Sequence, residues 1–545
     1  MANKEKNAQL NVEETVSKTE KFFNENKNIH SLPKFVEQWS EESLVKVFIE
    51  DSGKHREVEI AGPRTVLDVL QAERIDIQAT CGGVGKCGRC QVLVRDAEGL
   101  SYRLACMTQI SDGMEIVVPR AGAMDVVQSG MSAVFPPDTC ANGFGIAIDI
   151  GTTTVVAHLH DLATGDRLAT VGRANPQIAF GSDVISRISA SIDGKLDLMC
   201  GIIQDALREM KAKLCSTAGI DPSRVVRCTV AGNTVMQHIA VGLPPDTIGF
   251  NPFIPQSLFG DTHVIDGLGP CYFARCIAGY VGGDITAGML ACRLDEGGTR
   301  LFLDLGTNGE MAMSANGRIW CCATAAGPVF EGANIHFGMP ASPGAISKVA
   351  FADGEVKVDI IGDVAPIGVC GTGVIDAVAC MVRLGIVDDT GYLLGAEELK
   401  APYASFVGRE NEQNVFYLTP DRTIYITQND VRSLQLAKAA VCAGILTMVD
   451  AAGIRVSDIT QLEIAGGFGA YLNLQSAAGI GLFPHDLLEC ASSVGNTSGE
   501  GATALLVSGK AIEYEEAIVE KCEYLELSTS SKFNDFYVEM MEFES

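Results

Sequence analysis

The sequence predicts a multidomain chain of mixed α+β and α/β class, in which a small cysteine-bearing domain precedes a duplicated core. The 545 residues are too many for one ordinary domain. A cluster of cysteines lies in the first quarter of the chain. Further on, two long segments repeat the same order of apolar run, acidic residue and Gly-Thr turn.

The bulk composition is that of a folded chain. Hydrophobic residues make up 47% and charged residues 20%, and the formal net charge is −27. An acidic surface repels nucleic acid and anionic membranes, so we expect neither as a partner. We expect no apolar run long enough to span a bilayer. Residues 1–42 are polar, without an apolar signal core, which predicts a flexible leader and a cytoplasmic location.

The cysteine cluster is the strongest local signal. Cys81, Cys87, Cys90 and Cys106 follow the pattern C-x5-C-x2-C-x15-C, close to the plant-type spacing that ligates a 2Fe–2S cluster. Glycines between them let the backbone wrap a cluster and point N–H groups at its sulfurs. A structural zinc site is the alternative, but zinc sites usually pair two C-x2-C knuckles and this segment has one.

The flanking pattern predicts a β-grasp ferredoxin domain over residues 43–120. Segments 44–50 and 56–62 alternate like a hairpin, and 65–73 has helical spacing. QVLVR and MEIVVP supply later strands. A linker rich in Gly, Ser and Pro follows at 121–142.

The rest of the chain contains an internal duplication. GIAIDIGTTTVV and RLFLDLGTNGEM place Asp149 and Asp304 at the ends of equivalent apolar runs. A second pair, RVVRCTVAGNTVM and QLEIAGGFGAYL, combines a strand, Ala-Gly and a turn into a helix. We therefore predict two halves, 143–300 and 301–530, and a tail at 531–545. The last helices of the second half can return to the first.

The paired turns predict a nucleotide clamp. Glycines there let backbone N–H groups approach phosphate oxygens, and Thr or Asn side chains add donors. The predicted nucleotide-binding residues are Gly151, Thr152, Thr153, Gly306, Thr307, Asn308, Gly466, Gly467 and Phe468, the last three on the adenosine side. Asp149 and Asp304 face each other across the cleft, where they could hold Mg²⁺ or orient the attacking water. Asp284 is a third catalytic candidate, although an aspartate in that turn could equally cap the next helix.

As a set, these motifs resemble a known group. AIDIGTTT, AGNTVM, FLDLGTNGE, TAAGPVFEGA, VCGTGVIDAV, ITQNDVR, IAGGFGAYL and GNTSGEGA are similar to the actin/Hsp70/sugar-kinase superfamily. The form they resemble is that of the reductive activators of corrinoid-dependent methyltransferases. This resemblance implies an RNase H-like ATPase core behind the ferredoxin domain.

The resemblance also implies an activity. Such activators use ATP to drive one electron from an iron–sulfur cluster onto cobalt, returning a Co(II) corrinoid to Co(I). It implies ATP and Mg²⁺, and a corrinoid protein or corrinoid-dependent methyltransferase and a low-potential electron donor as partners. Three features depart from parts of the group. The chain lacks the C-terminal ferredoxin motifs with repeated C-x2-C that some archaeal relatives carry, so we expect a single cluster. Only a linker separates its ferredoxin and ATPase parts, where some bacterial relatives have an extra domain. Gly499-Glu500 stand where relatives tend to have an aliphatic and a small residue.

Three other functions stay open at this level. They are an ATP-driven activator of a radical dehydratase, a sugar-type kinase with an appended redox sensor, and a binding module whose nucleotide only sets conformation. The cysteine loop argues against the first, because those activators bridge a 4Fe–4S cluster between subunits and lack a ferredoxin domain. Phosphorylation of a small substrate would favour the second, and absence of ATP turnover the third.

Overall fold

The computed structural model describes residues 44–51, 54–85, 90–97, 99–118, 128–138, 142–306 and 308–543. Four sequence predictions fall outside these ranges. They concern the leader at 1–42, the cluster ligand Cys87, the phosphate-loop residue Thr307 and part of the linker.

The N-terminal domain is a five-stranded mixed sheet with one helix packed against it, the predicted β-grasp arrangement. Its elements are β1 (Leu44–Asp51), β2 (Lys54–Ala61), α1 (Val66–Ala72), β3 (Gln91–Asp96), β4 (Gly99–Leu104) and β5 (Met114–Val118). The strand order is β2-β1-β5-β3-β4, with β1 and β5 parallel. Thr65 begins α1 through a reciprocal capping box with Asp68, and the helix buries Leu67 and Leu70 in the core.

The first half of the core is a six-stranded sheet flanked by helices. Its strands are β6 (Phe144–Ile150), β7 (Thr154–Asp161), β8 (Arg167–Ala174), β9 (Val225–Gly232), β10 (Asp261–Ile265) and β11 (Gly269–Phe273). Its helices are α2 (Val184–Ala190), α3 (Leu196–Ala218), α4 (Thr234–Ala240) and α5 (Gly283–Cys292). In the order β10-β11-β9-β6-β7-β8, an antiparallel hairpin unit, β6-β7-β8, joins a parallel neighbour, β9.

The second half repeats that unit. Its strands are β12 (Arg300–Leu305), β13 (Gly309–Ala315), β14 (Arg318–Thr324), β15 (Ala345–Ala352), β16 (Glu355–Ile360), β17 (Gly368–Val369), β18 (Val407–Glu410), β19 (Gln413–Tyr417), β20 (Tyr425–Thr427), β21 (Gln461–Ala465), β22 (Ala491–Gly495) and β23 (Cys522–Tyr524). The main sheet runs β22-β21-β12-β13-β14-β23. Because β21-β12-β13-β14 matches β9-β6-β7-β8, the predicted duplicated fold is confirmed.

The remaining helices complete the second half and cross back to the first. They are α6 (Gly371–Arg383), α7 (Gln428–Ala452), α8 (Gly466–Gly469), α9 (Leu474–Gly479), α10 (Thr497–Val507), α11 (Gly509–Val519) and α12 (Ser531–Glu539). Helix α10 packs against α5, and a Cβ at Gly501 would lie 2.0 Å from the carbonyl oxygen of Ala287. Glycine therefore permits this close helix contact.

One described helix corrects the expectation that no apolar run is long enough to span a membrane. By length and composition alone α7 could do so, but 78% of its apolar stretch is buried inside the protein. It also carries a buried lysine, Lys438, whose Nζ donates to the carbonyl oxygen of Glu542 at 2.5 Å. Its apolar surface is that of a core helix, because β13, β14 and α12 cover it.

Candidate functional site

The cysteine loop connects α1 to β3 and returns to the end of β4. The Sγ atoms of Cys90 and Cys106 lie 3.3 Å apart, and both residues are buried free thiols. Burial and the neighbouring thiol of Cys90, with a smaller contribution from Cys81, raise the pKa of Cys106 to about 12. No three His, Cys, Asp or Glu side chains among the described residues converge as a metal site, and Cys87 is not among those residues.

The glycines of this loop explain how it approaches the thiols. Gly82, Gly83 and Gly85 have φ of +64°, +93° and +77°, a region that side-chain-bearing residues rarely adopt. A Cβ at Gly83 would lie 3.0 Å from Leu67 Cδ2, and one at Gly85 would lie 2.8 Å from Met107 Sδ. This tight backbone, together with a donor set of thiols, fits a 2Fe–2S cluster.

The first phosphate loop lies between β6 and β7 and is held from behind. The carbonyl oxygen of Gly151 accepts from Asn175 Nδ2, and that of Thr153 from the N–H of Asn175, both at 2.8 Å. The carbonyl oxygen of Thr152 accepts from Arg187 Nη2 at 2.6 Å. Asn175 and Arg187 are fully buried. The carbonyl oxygens of Gly151, Thr152 and Thr153 are therefore all hydrogen-bonded on the side away from the cleft. The threonine residues of the loop line the cleft.

A residue of the second half crosses the cleft to this loop. Thr153 Oγ1 donates to both carboxylate oxygens of Glu331 at 2.9 Å. Glu331 ends a short 3-10 helix that follows β14, within the motif TAAGPVFEGA. The sequence interpretation used this motif for the resemblance but assigned Glu331 no role.

The second phosphate loop follows β12. The N–H of Gly306 donates to the carbonyl oxygen of Asn308 at 3.0 Å, which holds these two described residues of the loop together. The side chain of Asn308 hydrogen-bonds to Glu310. Glu310 is a functional candidate that the sequence interpretation missed. The sequence feature that could have indicated it is the glutamate of GTNGE, two residues after Asn308.

Asp149 is positioned by residues distant in sequence. Its carboxylate accepts from Asn496 Nδ2 at 3.0 Å and from Ser498 Oγ at 2.8 Å. Burial raises the pKa of Asp149 to about 6, and these two hydrogen bonds limit the rise. Both donors come from the start of α10, the helix that crosses back from the second half.

Three more carboxylates share the cleft with Asp149. Burial and the charge of Asp149 raise the pKa of Asp304 to about 7, and burial with the charges of Asp304 and Asp149 raises that of Asp284 to about 8. Burial and the charges of Asp284 and Asp304 raise the pKa of Glu310 well above its usual range, although Asn233 Nδ2 donates to it at 2.7 Å. The structure therefore brings the three predicted aspartates together and adds a fourth acid.

This acidic cluster fits a divalent cation. Mutual repulsion among buried carboxylates is relieved by a positive charge, and carboxylate oxygens are the ligands that Mg²⁺ prefers. No group of three among the described residues forms a closed metal cage. That agrees with Mg²⁺, which usually keeps several waters and binds through one or two carboxylates together with substrate phosphates.

Asp284 lies in the first turn of α5. Its Oδ1 accepts from the N–H of Ile285 at 2.9 Å, while the helix-capping position itself is Gly282, which has no side chain. The residue therefore lines the cleft at a helix N-terminus, where the helix dipole favours negative charge.

The adenosine side of the cleft is formed after β21. Gly466 has φ of +93°, and a Cβ there would lie 2.7 Å from Asp304 Oδ1. Gly467 has no atom within 4 Å of its Cβ direction, which leaves an open face. The ring of Phe468 stacks on Phe330, with centroids 5.4 Å apart and planes 26° apart. A flat apolar platform thus lies beside an open glycine.

Together these groups line one cleft of about 430 Å³, a size suited to a nucleotide. Its wall contains the predicted residues of both halves that the structure describes. It also contains Thr80, the residue before Cys81, and Ser182. The carbonyl oxygen of Thr80 accepts from the N–H of Ser182 at 3.1 Å and from its Oγ at 3.0 Å. The cysteine loop is therefore in contact with the nucleotide cleft.

The departure at Gly499-Glu500 has a structural explanation. Glu500 does not line the cleft. Its carboxylate pairs with Arg167 Nη2 at 2.5 Å and accepts from the N–H of Gly130. Glu500 is only 6% exposed and Arg167 is exposed, so the departure supplies an ion pair with a buried carboxylate that ties β8 to α10 and to residues 128–138.

Three family descriptions match the chain in succession. A "2Fe-2S iron-sulfur cluster binding domain" matches residues 49–111, a "RACo middle region" matches 144–297, and the "C-terminal domain of RACo the ASKHA domain" matches 298–545. A corrinoid activation enzyme, RamQ of Eubacterium limosum, is 31% identical over 88% of this chain and 96% of its own length. The chain belongs to the RACo family.

Further relatives support the membership. A [Co(II) methylated amine-specific corrinoid protein] reductase of Methanosarcina barkeri is 28% identical over 72% of this chain and 76% of its own. A solved reductive activator for a corrinoid, iron-sulfur protein is 29% identical, covers 92% of this chain and 98% of its own, and superposes with a TM-score of 0.65. The resemblance found in the sequence is confirmed, and RACo membership carries both a 2Fe–2S domain and an ATPase core.

Proposed function

We propose that this chain is an ATP-dependent reductive activator of a corrinoid protein, which it returns from Co(II) to Co(I). One observation carries the proposal. The cysteine loop of a ferredoxin domain contacts the wall of a nucleotide cleft, through Thr80 and Ser182. A kinase alone needs no thiol loop at its cleft, and a ferredoxin alone needs no cleft.

The cysteines would hold the electron carrier. Cys81, Cys87, Cys90 and Cys106 are the ligands we assign to a 2Fe–2S cluster, which when bound supplies the single electron for cobalt. Gly82, Gly83 and Gly85 keep the loop close to the thiols, and Leu104 and Ala105 deliver Cys106 from the end of β4. Residues 43–120 form this electron-transfer unit in our assignment.

The cleft residues would hold MgATP. Gly151, Thr152 and Thr153 form the first phosphate contact, and Gly306, Thr307 and Asn308 the second. Gly466, Gly467 and Phe468 receive the adenosine. We assign Asp149, Asp304 and Glu310 to Mg²⁺ and its waters, and Asp284 to the attacking water. These roles divide the core into halves 143–300 and 301–530 that close on the nucleotide.

Coupling of the nucleotide cleft to the cluster is needed because electron transfer to cobalt is thermodynamically unfavourable. Co(II)/Co(I) couples lie below most 2Fe–2S potentials, so the electron moves uphill, and for one electron each ~59 mV is a factor of ten. Nucleotide that binds between two halves supplies a two-state element, because closure changes how the protein holds its partner.

The buried thiols favour a reducing compartment. Cys90 and Cys106 must stay reduced to ligate a cluster, and thiols stay reduced in the cytoplasm. We therefore place the protein there, and expect its low-potential chemistry to require the absence of oxygen.

The decisive experiment is anaerobic. Protein isolated without oxygen is assayed for iron, sulfide and its electron paramagnetic resonance (EPR) spectrum. Reduced protein is then mixed with Co(II) corrinoid protein, and Co(I) is followed by absorbance with and without MgATP. Iron and sulfide in the chain and ATP-dependent Co(I) support the proposal. Equal Co(I) without ATP contradicts it, as does sugar phosphorylation with no cobalt reduction.

A pair of variants sharpens the assay. Cys90→Ser removes one assigned ligand and should abolish the EPR signal and Co(I) formation while ATP still binds. Cys490→Ser is the matched control, because Cys490 is a partly exposed free thiol in the second half. Loss of both signals in the control would mean that cysteine loss acts on folding.

A further inference from the structure

The segment from Asn175 to Arg187 lies between the first phosphate loop and the cysteine loop, and we call it the relay segment. It contains a 3-10 helix, Pro176–Phe180, and most of α2. Its significance rests on the proposed function, since it touches the two sites that this function must couple.

At one end the relay segment holds the phosphate loop. Asn175 donates to the carbonyl oxygens of Gly151 and Thr153, and Arg187 donates to that of Thr152. Any shift of this loop toward a phosphate must therefore move Asn175 or Arg187, because buried hydrogen bonds are costly to leave unmade.

At the other end it holds the cysteine loop. Ser182 donates to the carbonyl oxygen of Thr80 from both its N–H and its Oγ. Gln71 Nε2, which is buried, donates to the carbonyl oxygen of Ala179 at 2.5 Å. A Cβ at Gly82 would lie 3.3 Å from the carbonyl oxygen of Phe180, so this approach leaves little room for a side chain.

Between its ends the relay segment is stiff. Asn175 Oδ1 caps the 3-10 helix by accepting from the N–H of Gln177 at 2.9 Å. Arg187 Nε donates to the carbonyl oxygen of Gly181 at 3.1 Å, beside Ser182. A Cβ at Gly181, whose φ is +141°, would lie 2.2 Å from Ser186 Cβ. Movement at Arg187 thus reaches Ser182 through one side chain and one peptide.

The cleft contains a contact that nucleotide must disturb. Thr153 Oγ1 donates to the Glu331 carboxylate at 2.9 Å. A phosphate oxygen that needs this hydroxyl competes with an anion already bound to it, and the two negative groups repel each other. Binding of MgATP therefore changes the hydrogen bonding of the very loop that Asn175 and Arg187 hold.

We infer that the relay segment transmits nucleotide occupancy of the Gly151–Thr153 loop to the cysteine loop, with Asn175, Arg187 and Ser182 as positioning residues. Nucleotide then changes the order and hydrogen bonding of residues 79–85, on which the assigned ligand Cys81 lies. ATP thereby acts on the cysteine loop that holds the electron carrier, in addition to changing how the two halves bind a partner.

The test uses the full, cluster-loaded chain under anaerobic conditions. Amide hydrogen exchange is measured with and without Mg²⁺ and a non-hydrolysable ATP analogue, and the EPR spectrum of the reduced protein is recorded in both states. In the unmodified protein we expect exchange over residues 77–85 to change about tenfold with the analogue, and the EPR line shape to shift.

Two variants interrupt the relay segment at opposite ends. Ser182→Ala removes the Oγ bond to Thr80, and Asn175→Ser keeps the helix cap but removes the donor to Gly151. Each should still bind the analogue and lose at least half of the change in the logarithm of the exchange rate over residues 77–85, together with the EPR shift. Ser189→Ala is the control, because Ser189 is exposed and its Oγ donates only to the carbonyl oxygen of Ile185 within α2.

The outcomes separate this inference from the proposed function. It is overturned if bound analogue leaves residues 77–85 and the EPR spectrum unchanged, if the analogue does not bind, or if both variants respond like the unmodified protein. If the cysteine loop responds while cobalt reduction proceeds equally without ATP, the relay stands and the proposed function fails. If cobalt reduction needs ATP but the loop does not respond, the relay alone is wrong.

Discussion

The two hairpins that begin the halves have the same strand pairing, but they differ in the residue that lies opposite the first acid. In the first, Asp149 on β6 lies opposite Val156 on β7. In the second, Asp304 on β12 lies opposite Glu310 on β13. A second acid has therefore taken the place of a valine.

Their support differs as well. Asp149 accepts hydrogen bonds from Asn496 and Ser498 and keeps the lower pKa, about 6. The pKa of Asp304 is raised to about 7 by burial and by Asp149, and burial with the charges of Asp284 and Asp304 raises that of Glu310 well above its usual range. The first hairpin thus carries one acid held by neutral donors, whereas the second carries two neighbouring acids, whose combined charge a cation or a proton can balance. We propose that the second half contributes more to Mg²⁺ binding than the first.

The largest expected effect tests this division in the carboxylates. Asp304→Asn should lower ATP turnover about 1000-fold and Glu310→Gln about 100-fold, because each removes charge that holds Mg²⁺ or its waters. Asp149→Asn should cost less than Asp304→Asn, since Asn496 and Ser498 still position the side chain. Phosphate release at saturating MgATP measures this, with Asp359→Asn on exposed β16 as control. A greater loss for Asp149→Asn would reverse the comparison.

The next effect concerns the ion pair of Glu500 with Arg167, which ties the first half to α10. Glu500→Ala removes a buried carboxylate that pairs with the exposed Arg167 and accepts from the N–H of Gly130, so we expect a loss of about 2–3 kcal/mol in the free energy of unfolding. Urea unfolding measures it. Glu115→Ala, which breaks the exposed pair with Arg95, should cost no more than ~0.5 kcal/mol. Equal losses would show that Glu500 is not buried in solution.

Glycines at equivalent strand ends give a smaller effect. A Cβ at Gly232 would lie 2.7 Å from the carbonyl oxygen of Ile150, and one at Gly466 would lie 2.6 Å from that of Leu305. Gly466 also has positive φ, so Gly466→Ala should cost about 2 kcal/mol in stability and weaken nucleotide binding. Gly467→Ala is the control, with open space at its Cβ. Unfolding and nucleotide titration that fail to distinguish the two variants would contradict the assignment of Gly466.

The smallest effect is the contribution of the first hairpin to the pH dependence of stability, which opposes that of the cleft carboxylates with raised pKa values. Burial lowers the pKa of His158 to about 3 and of His160 to about 4, with Arg167 also acting against their protonation. A base with a depressed folded pKa contributes stability above its unfolded value near 6.5, and this contribution is lost as pH falls toward the folded pKa. From pH 7 to 6 the free energy of unfolding should fall by about 1 kcal/mol for the pair.

The second hairpin shows how to remove this slope. In the same register its residues are Ala312 and Ser314. A variant carrying His158→Ala and His160→Ser should therefore lose stability overall, and its free energy of unfolding should no longer include the loss of about 1 kcal/mol that the pair contributes from pH 7 to 6. Urea midpoints at pH 7 and 6 measure it, with exposed His485→Gln as control. An unchanged slope would assign the pH dependence to other groups.

Much of the fold could be predicted from the sequence. The alternation in 44–62 and the helical spacing of 65–73 anticipated the β-grasp domain, because strand and helix periods are local properties. The repeat of Asp149 and Asp304 anticipated the duplication for the same reason. The prediction about apolar runs was wrong for α7, since a core helix and a membrane helix have the same composition and differ only in what covers them.

What the sequence by itself determined is the chemistry available: a thiol loop of the plant-type spacing, two Gly-Thr turns behind acids, and a composition that folds. These features depend on residues that are close together in the chain, where the spacing in sequence largely sets the distance in space. Only the tertiary structure decided which distant groups meet. Asn496 and Ser498 reach Asp149, Glu331 reaches Thr153, and Arg187 reaches Thr152, because helix crossing and sheet pairing bring together residues whose separation in sequence carries no signal of contact.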